Sequence, residues 1–256
     1  MSIYLGSNKI SETGIIEKSV PVNKVEEFLT RTISTYSNSL ISTIGSCAFA
    51  ECSSLTEVDI INCKYINAST FQRCSNLSQV NVPSCSRIYS FAFYGCTNLP
   101  QISFPLCTII YDWAFAYCSN LTSISFPSCT NIYANAFISC KSLLAVDFPQ
   151  CSSVGYDWLF AGSTFYKCTN LTEARFPICT SFYSNTFANC YNLISLYLNS
   201  VSTVTTIAEN TFNSTPIGGY SASAGRYGSV FVPASLYNDF IVASYWSDIA
   251  DRIVSV

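Results

Sequence analysis

Residues 121–142 read L-T-S-I-S-F-P-S-C-T-N-I-Y-A-N-A-F-I-S-C-K-S, and variants of this stretch recur up and down the chain at intervals of 22. Numbered from Leu121 as position 0, the stretch carries apolar residues at positions 0, 3, 5, 8, 11, 16 and 19. Position 0 is Leu55, Leu77, Leu99, Leu121, Leu143, Leu171 and Leu193. Position 3 is Val58, Val80, Ile102, Ile124, Val146, Ala174 and Leu196, and position 5 is Ile60, Val82, Phe104, Phe126, Phe148, Phe176 and Leu198. A fixed period of 20 to 50 residues marks a solenoid, in which each unit buries its apolar side only by stacking on its neighbours. The β-branched and aromatic residues at positions 3 and 5 suit a strand. Pro83, Pro105, Pro127, Pro149 and Pro177 at position 6 lack a ladder donor and end it. The second half of each unit has room only for a short helical turn or an irregular arc.

The cysteines follow the same register. From Cys52 to Cys151 they are spaced every 11 residues, then come one gap of 17 and two more of 11, ending at Cys190. They fall into two classes, C-[ST]-[NS]-L as at Cys74 and F-P-x-C as at Cys107. Fourteen is an even number, which in a secreted chain suggests disulfides. Each column, however, needs one small apolar residue per rung, and free Cys is such a residue. Val201 continues the F-P-x-C column, and neighbouring Cβ atoms in stacked rungs point in parallel, which strains a bridge. Reduced, buried thiols are the expectation. Zinc is not expected: without His a structural site needs four Cys, and Cys47 with Cys52 is the one close pair.

Positions 0 to 8 form L-x-x-L-x-L-x-x-C, the strand signature of leucine-rich repeats. The longer pattern L-x-x-I-x-[FI]-P-x-x-x-x-I-x-x-x-[AT]-F-x-x-C resembles the BspA-like, or Treponema pallidum type, leucine-rich repeat family over roughly residues 33–212. Where that family has Gly after the Ile, this chain has Tyr89, Tyr111, Tyr133 and Tyr183. The resemblance implies a right-handed α/β solenoid of about eight rungs, with a parallel sheet on one face and turns or arcs on the other. It also implies adhesion or protein interaction at a bacterial surface.

The segments outside the repeats read as caps. Residues 1–32 hold a small hairpin, Ile3-Tyr4-Leu5 against Lys9-Ile10, and a short helix that Asn23 would cap with Glu26 three residues on. Residues 33–212 are the solenoid, beginning with a worn rung that uses Ile33, Tyr36, Ile41 and Ile44. Residues 213–256 make a C-terminal cap: a Gly/Ser-rich loop, a strand at Val230–Val232 and a helix after Pro233. Six extra residues between Cys151 and Cys168 place Tyr156, Asp157 and Trp158 in an inserted loop. That loop is a secondary binding candidate, the alternative being a neutral bulge.

Composition narrows the function. Charged residues are 11%, net charge is -3, mean hydropathy is +0.31 and His is absent. Missing His removes Ser-His-Asp and Cys-His catalysis, His metal ligands and a histidine pH switch. No apolar run reaches the roughly 18 residues of a membrane span, and the 12 cations do not cluster as nucleic-acid binding requires. Alternation along a strand turns positions 2 and 4 outward. Gln79, Asn81, Gln101, Ser103, Ser123, Ser125, Asp147, Glu173, Arg175 and Tyr197 are therefore the candidate binding residues on a curved polar face. The partner expected is a protein or a glycan on a cell surface; the alternative is a solvated face that binds nothing. The tyrosine column is either adhesive surface or a stacked spine. No enzyme activity, cofactor or metal is expected. Residues 1–9 lack a signal-peptide pattern, so a prophage or virion-associated structural or receptor-binding role stands beside surface adhesion.

Overall fold

The computed structural model describes residues 33–155, 162–219 and 225–256, together with the backbone of 3–5 and 8–10. Each rung opens with a three-residue strand at positions 2–4. The series Glu57–Asp59, Gln79–Asn81, Gln101–Ser103, Ser123–Ser125, Ala145–Asp147, Glu173–Arg175 and Ser195–Tyr197 is preceded by Thr35–Ser37 and followed by Ser229–Val232 and Ile253–Ser255. Pairing is parallel and in repeat register, as in Ser123↔Gln101 and Ser195↔Glu173. Among the described residues ten strands of this series, Ser229–Val232 being one residue longer, stand where about eight rungs were expected. The worn first rung and Val230–Val232 were anticipated; Ile253–Ser255, which pairs with Ser229–Val232, was not.

A second sheet also goes beyond the expectation. Two-residue strands at positions 10–11, from Thr43–Ile44 through Asn131–Ile132 to Thr206–Ile207, form one unbroken eight-stranded parallel sheet. Its inward residues, Ile44 to Ile207, are all buried.

Among the described residues the remainder of each rung is an arc of turns without helix, and its backbone alternates. Cys47, Phe49 and Glu51 donate their N–H groups to Ala68, Thr70 and Gln72 of the next rung at 2.7–3.0 Å, while Ala48, Ala50 and Cys52 close turns on the residue three before them. Most rungs thereby set two residues at positive φ, at positions 14 and 18; in the rung with the insertion Lys167 alone of the described residues does so at these positions. Ser69, Phe91, Trp113, Asn135, Asn185 and Asn210 occupy the first, and Arg73, Gly95, Tyr117, Ser139, Lys167 and Asn189 the second. This backbone costs an L residue about 1–2 kcal/mol, least for Asn.

Between the sheets and the arc lies one core. Phe49, Phe71, Phe93, Phe115, Phe137, Phe165, Phe187 and Phe212 stack in a column with centroids 5.0–5.9 Å apart. The strand spacing of about 4.8 Å sets that interval. Phe104, Phe126, Phe148 and Phe176 wedge in beside them. The insertion leaves this column intact, with Phe137 and Phe165 at 5.4 Å and Phe137 N–H still bonded to Thr164. Tyr156, Asp157 and Trp158 lie outside the described residues.

At the C-terminal end, buried Trp246 packs 5.8 Å from Phe212 and 5.3 Å from Phe240. Its indole N–H donates to the Thr205 carbonyl at 2.6 Å. In place of one capping helix, the segment after Pro233 holds a 3-10 turn, Ala234–Leu236, a single α-turn, Tyr237–Phe240, and a further 3-10 segment, Ser247–Arg252. Near the N-terminus, Ile3–Leu5 pairs antiparallel with Asn8–Ile10; the helix expected from Asn23 lies outside the described residues.

Candidate functional site

All ten candidate residues lie on the three-residue-strand face, exposed or half-buried. They do not form one site. At the N-terminal end the side chains neutralise one another across rungs: Asn81 Nδ2 donates to Asp59 Oδ1 at 2.8 Å and Gln79 Nε2 to Glu57 Oε1 at 3.3 Å. At the C-terminal end Arg175 Nε donates to Glu173 at 2.6 Å and its guanidinium lies 4.1 Å from the Tyr197 ring centroid. Tyr197 in turn stacks on Phe231 at 4.6 Å.

The middle of the face is built differently, because the strand ladder is interrupted there. Position 1 normally ties each rung to the one before. Thr56 gives both its N–H and its Oγ1 to the Ser34 carbonyl, Ser78 does the same to Thr56, and Thr122 to Pro100. Pro100 occupies this position in its own rung and has neither donor. Strands Gln79–Asn81 and Gln101–Ser103 stay adjacent but form no ladder, and the face is divided there. It is divided again between Ser123–Ser125 and Ala145–Asp147, where the Leu144 N–H reaches Thr122 at a stretched 3.4 Å. Nothing as direct as a proline explains that second break; Ile194 also lacks a hydroxyl and its strand pairs normally.

Around the first break lies a depression of about 340 Å³ lined by Ser78, Gln79, Val80, Gln101, Ile102, Ser103, Ser123 and Ser125. Five of the ten candidates thus converge, while Asn81, Asp147, Glu173, Arg175 and Tyr197 lie outside it. Ser78, Val80 and Ile102 were missed because alternation turns only positions 2 and 4 outward. Val80 and Ile124 are only half-buried, correcting their assignment to the core. The available signal was Pro100, the one proline in a column that is otherwise Thr or Ser except at Leu144 and Ile194. No lining residue is ionisable, so the depression offers hydroxyls, amides and an apolar floor: it can hold a ligand by hydrogen bonds and contact, without acid-base chemistry.

The fourteen cysteines are free thiols, Cys47 exposed and the rest buried. They are more than spacers. Cys74, Cys96, Cys118, Cys140, Cys168 and Cys190 donate to the carbonyl of a Phe in the preceding rung, at 2.9–3.1 Å. Cys63, Cys85, Cys107, Cys129, Cys151 and Cys179 donate to the carbonyl two residues on, at 3.2–3.4 Å. Burial pushes the thiols of Cys107, Cys118, Cys151 and Cys168 up to about 12, away from the reactive thiolate. Among the described residues no group of three or more His, Cys, Asp or Glu is placed to hold a metal ion.

The sequence profile of the BspA type leucine rich repeat region matches residues 42–164 and 159–219, with six copies. None of the curated proteins matches the chain. Among solved structures, a leucine rich cell surface protein from Faecalibacterium prausnitzii A2-165 is 17% identical with a TM-score of 0.53, covering 92% of this chain and 89% of that one. A leucine-rich repeat protein from Bacteroides ovatus ATCC 8483 is 17% identical, TM-score 0.40, covering 88% of this chain and 84% of its own. The T. pallidum leucine rich repeat protein is 23% identical, TM-score 0.36, covering 57% and 75%.

Proposed function

The chain belongs to the BspA type leucine-rich repeat family, and from that premise we propose that it is a non-catalytic adhesion protein whose three-residue-strand face receives a protein or glycan partner. The observation that supports this reading is the ladder break at Pro100. A parallel sheet normally uses up its backbone groups; here the strand pair is held open beside a depression with a mixed polar and apolar lining. The Ser78 carbonyl loses both the N–H and the hydroxyl donors that the carbonyls of Ser34, Thr56, Pro100 and Leu144 receive. Hydroxyl and amide groups at 79, 101, 103, 123 and 125 then supply directional contacts, and Val80 and Ile102 supply buried area. The Faecalibacterium protein of the same fold is a cell surface protein, and surface display is the setting we assign to this chain as well.

The test is retention on arrays of extracellular-matrix proteins and of mucin-type glycans. Whatever the unaltered chain retains should be lost in Pro100→Thr, which restores the ladder, and in the pair Gln101→Lys with Ser123→Lys. Retention unchanged in both variants would move the site off this face.

A further inference from the structure

The arc of three consecutive rungs carries an aromatic surface that the strand face does not explain. Tyr89, Tyr111 and Tyr133 follow one another at 4.9 and 5.1 Å, the first two with rings 3° from parallel. Beside them Phe91 and Trp113 stack at 6.0 Å and 9°, and Tyr94 meets Tyr117 edge-on at 5.3 Å. Tyr117 is 41% exposed and the others are half-buried. A spine that the fold required would run through every rung, but this one stops at Asn67 on one side and is broken at Gly155 on the other, before Tyr183 takes up the position again.

Backbone conformation points the same way. Phe91 and Trp113 have φ of +60° and +59°, at a position that other rungs give to Cys47, Ser69, Asn135, Asn185 or Asn210, and Tyr117 has φ of +61° at one that they give to Gly95, Ser139 and Asn189 as well as to the longer Glu51, Arg73 and Lys167. Bulky side chains are disfavoured in this region, and these three add nothing to the buried core. Strain kept where packing does not demand it is a reason to look for a ligand.

We propose that this patch binds a neutral, extended β-linked oligosaccharide lying along the solenoid axis, one sugar ring per rung. Three features select that chemistry. The tyrosine rings cover each other's faces, so what they present outward is a row of ring edges and phenol groups repeated at about 5 Å. A pyranose residue in an extended β-linked chain advances by a comparable length. Charge is sparse: from Asn76 to Cys140 the sequence holds two charged residues, Arg87 and Asp112, and no basic cluster, which disfavours anionic ligands. Exposed aliphatic residues of the kind a protein interface uses, Leu106, Leu144 and Ile178, stand at positions 1 and 7, away from the arc. Trp113 stacks on Phe91 on one side and has the small Asn135 at the same position of the rung on the other, which leaves its indole as the ring on which a sugar can rest.

Titration calorimetry of the full chain with β-1,4-linked hexaoses of glucose, xylose and N-acetylglucosamine tests this. At least one should bind. The double variant Phe91→Asn/Trp113→Asn, which installs the residue other rungs use, should weaken that hexaose at least tenfold while the melting temperature holds or rises. Tyr111→Phe removes one hydroxyl and cannot unfold the chain, and should weaken it several-fold; it decides the matter if the double variant melts early. Pro100→Thr should leave hexaose binding unchanged, which separates this site from the strand-face depression. No binding by any hexaose, or equal binding by the double variant and Tyr111→Phe, overturns the proposal.

Discussion

Cys118 sits fully buried, with its Sγ 3.1 Å from the carbonyl of Phe93 in the rung before. Size alone would admit Ala at this column; the carbonyl asks for a donor as well. Cys118→Ala is expected to cost about 2 kcal/mol, from the lost sulfur volume and the lost hydrogen bond together. Cys118→Ser keeps a donor and should cost less than Ala. Denaturant midpoints under reducing conditions read both, and a Ser variant weaker than Ala would make the column a packing feature only. The cysteine period was legible in the sequence because one residue type repeated without interruption. Its hydrogen bonding was not, because the acceptor is a backbone carbonyl 25 residues away, which no side-chain pattern announces.

At the level of elements, the strands and their outward columns could be read from period-2 alternation. The arc could not. Its alternating backbone depends on positive φ at positions where Gly95 and four Asn are mixed with Ser, Phe, Arg, Trp, Tyr and Lys, so the usual signal for that conformation does not repeat with the period. The break at Pro100 lay between: visible as an odd residue in a largely Thr/Ser column, but meaningful only once that column is known to tie the rungs together. Pro100→Thr should raise stability by about 1 kcal/mol. Two restored hydrogen bonds at about 1 kcal/mol each outweigh the looser unfolded chain, and calorimetric melting measures the difference. The C-terminal cap rests on Trp246. Trp246→Phe leaves the buried Thr205 carbonyl without its indole donor and opens a small cavity, for an expected loss of about 2–3 kcal/mol. Hydrogen exchange should show the loss first in Ser195–Tyr197 and Ser229–Val232, since rungs in a linear array lean on their nearest neighbours.

Over the whole molecule the thiols act together. Burial raises the pKa of Cys107, Cys118, Cys151 and Cys168 from 9.0 to about 12. Below pH 9 both folded and unfolded chains keep these protons, and the stabilising contribution is fully present. Between about pH 9 and 12 only the unfolded chain releases them, so stability falls by about 1.4 kcal/mol per pH unit for each such thiol. Melting temperature should therefore drop steeply above pH 9, and a chain with these four residues changed to Val should lose part of that steepness, the other thiols that burial raises keeping the rest. A thiol reagent at neutral pH should label Cys47 rapidly and the others only on unfolding, with fourteen thiols counted in denaturant; a lower count would reveal disulfides.

The two interruptions of the strand face have a mechanical side. The short-strand sheet runs unbroken through eight rungs, whereas the strand face is cut into blocks of three, two and five strands. A rod with one continuous flange and one segmented flange is stiff along the first and yields at the gaps in the second. Bending of this solenoid is therefore concentrated at two joints, between residues 81 and 101 and between 125 and 145. A partner seated across the first joint fixes the local curvature of the array.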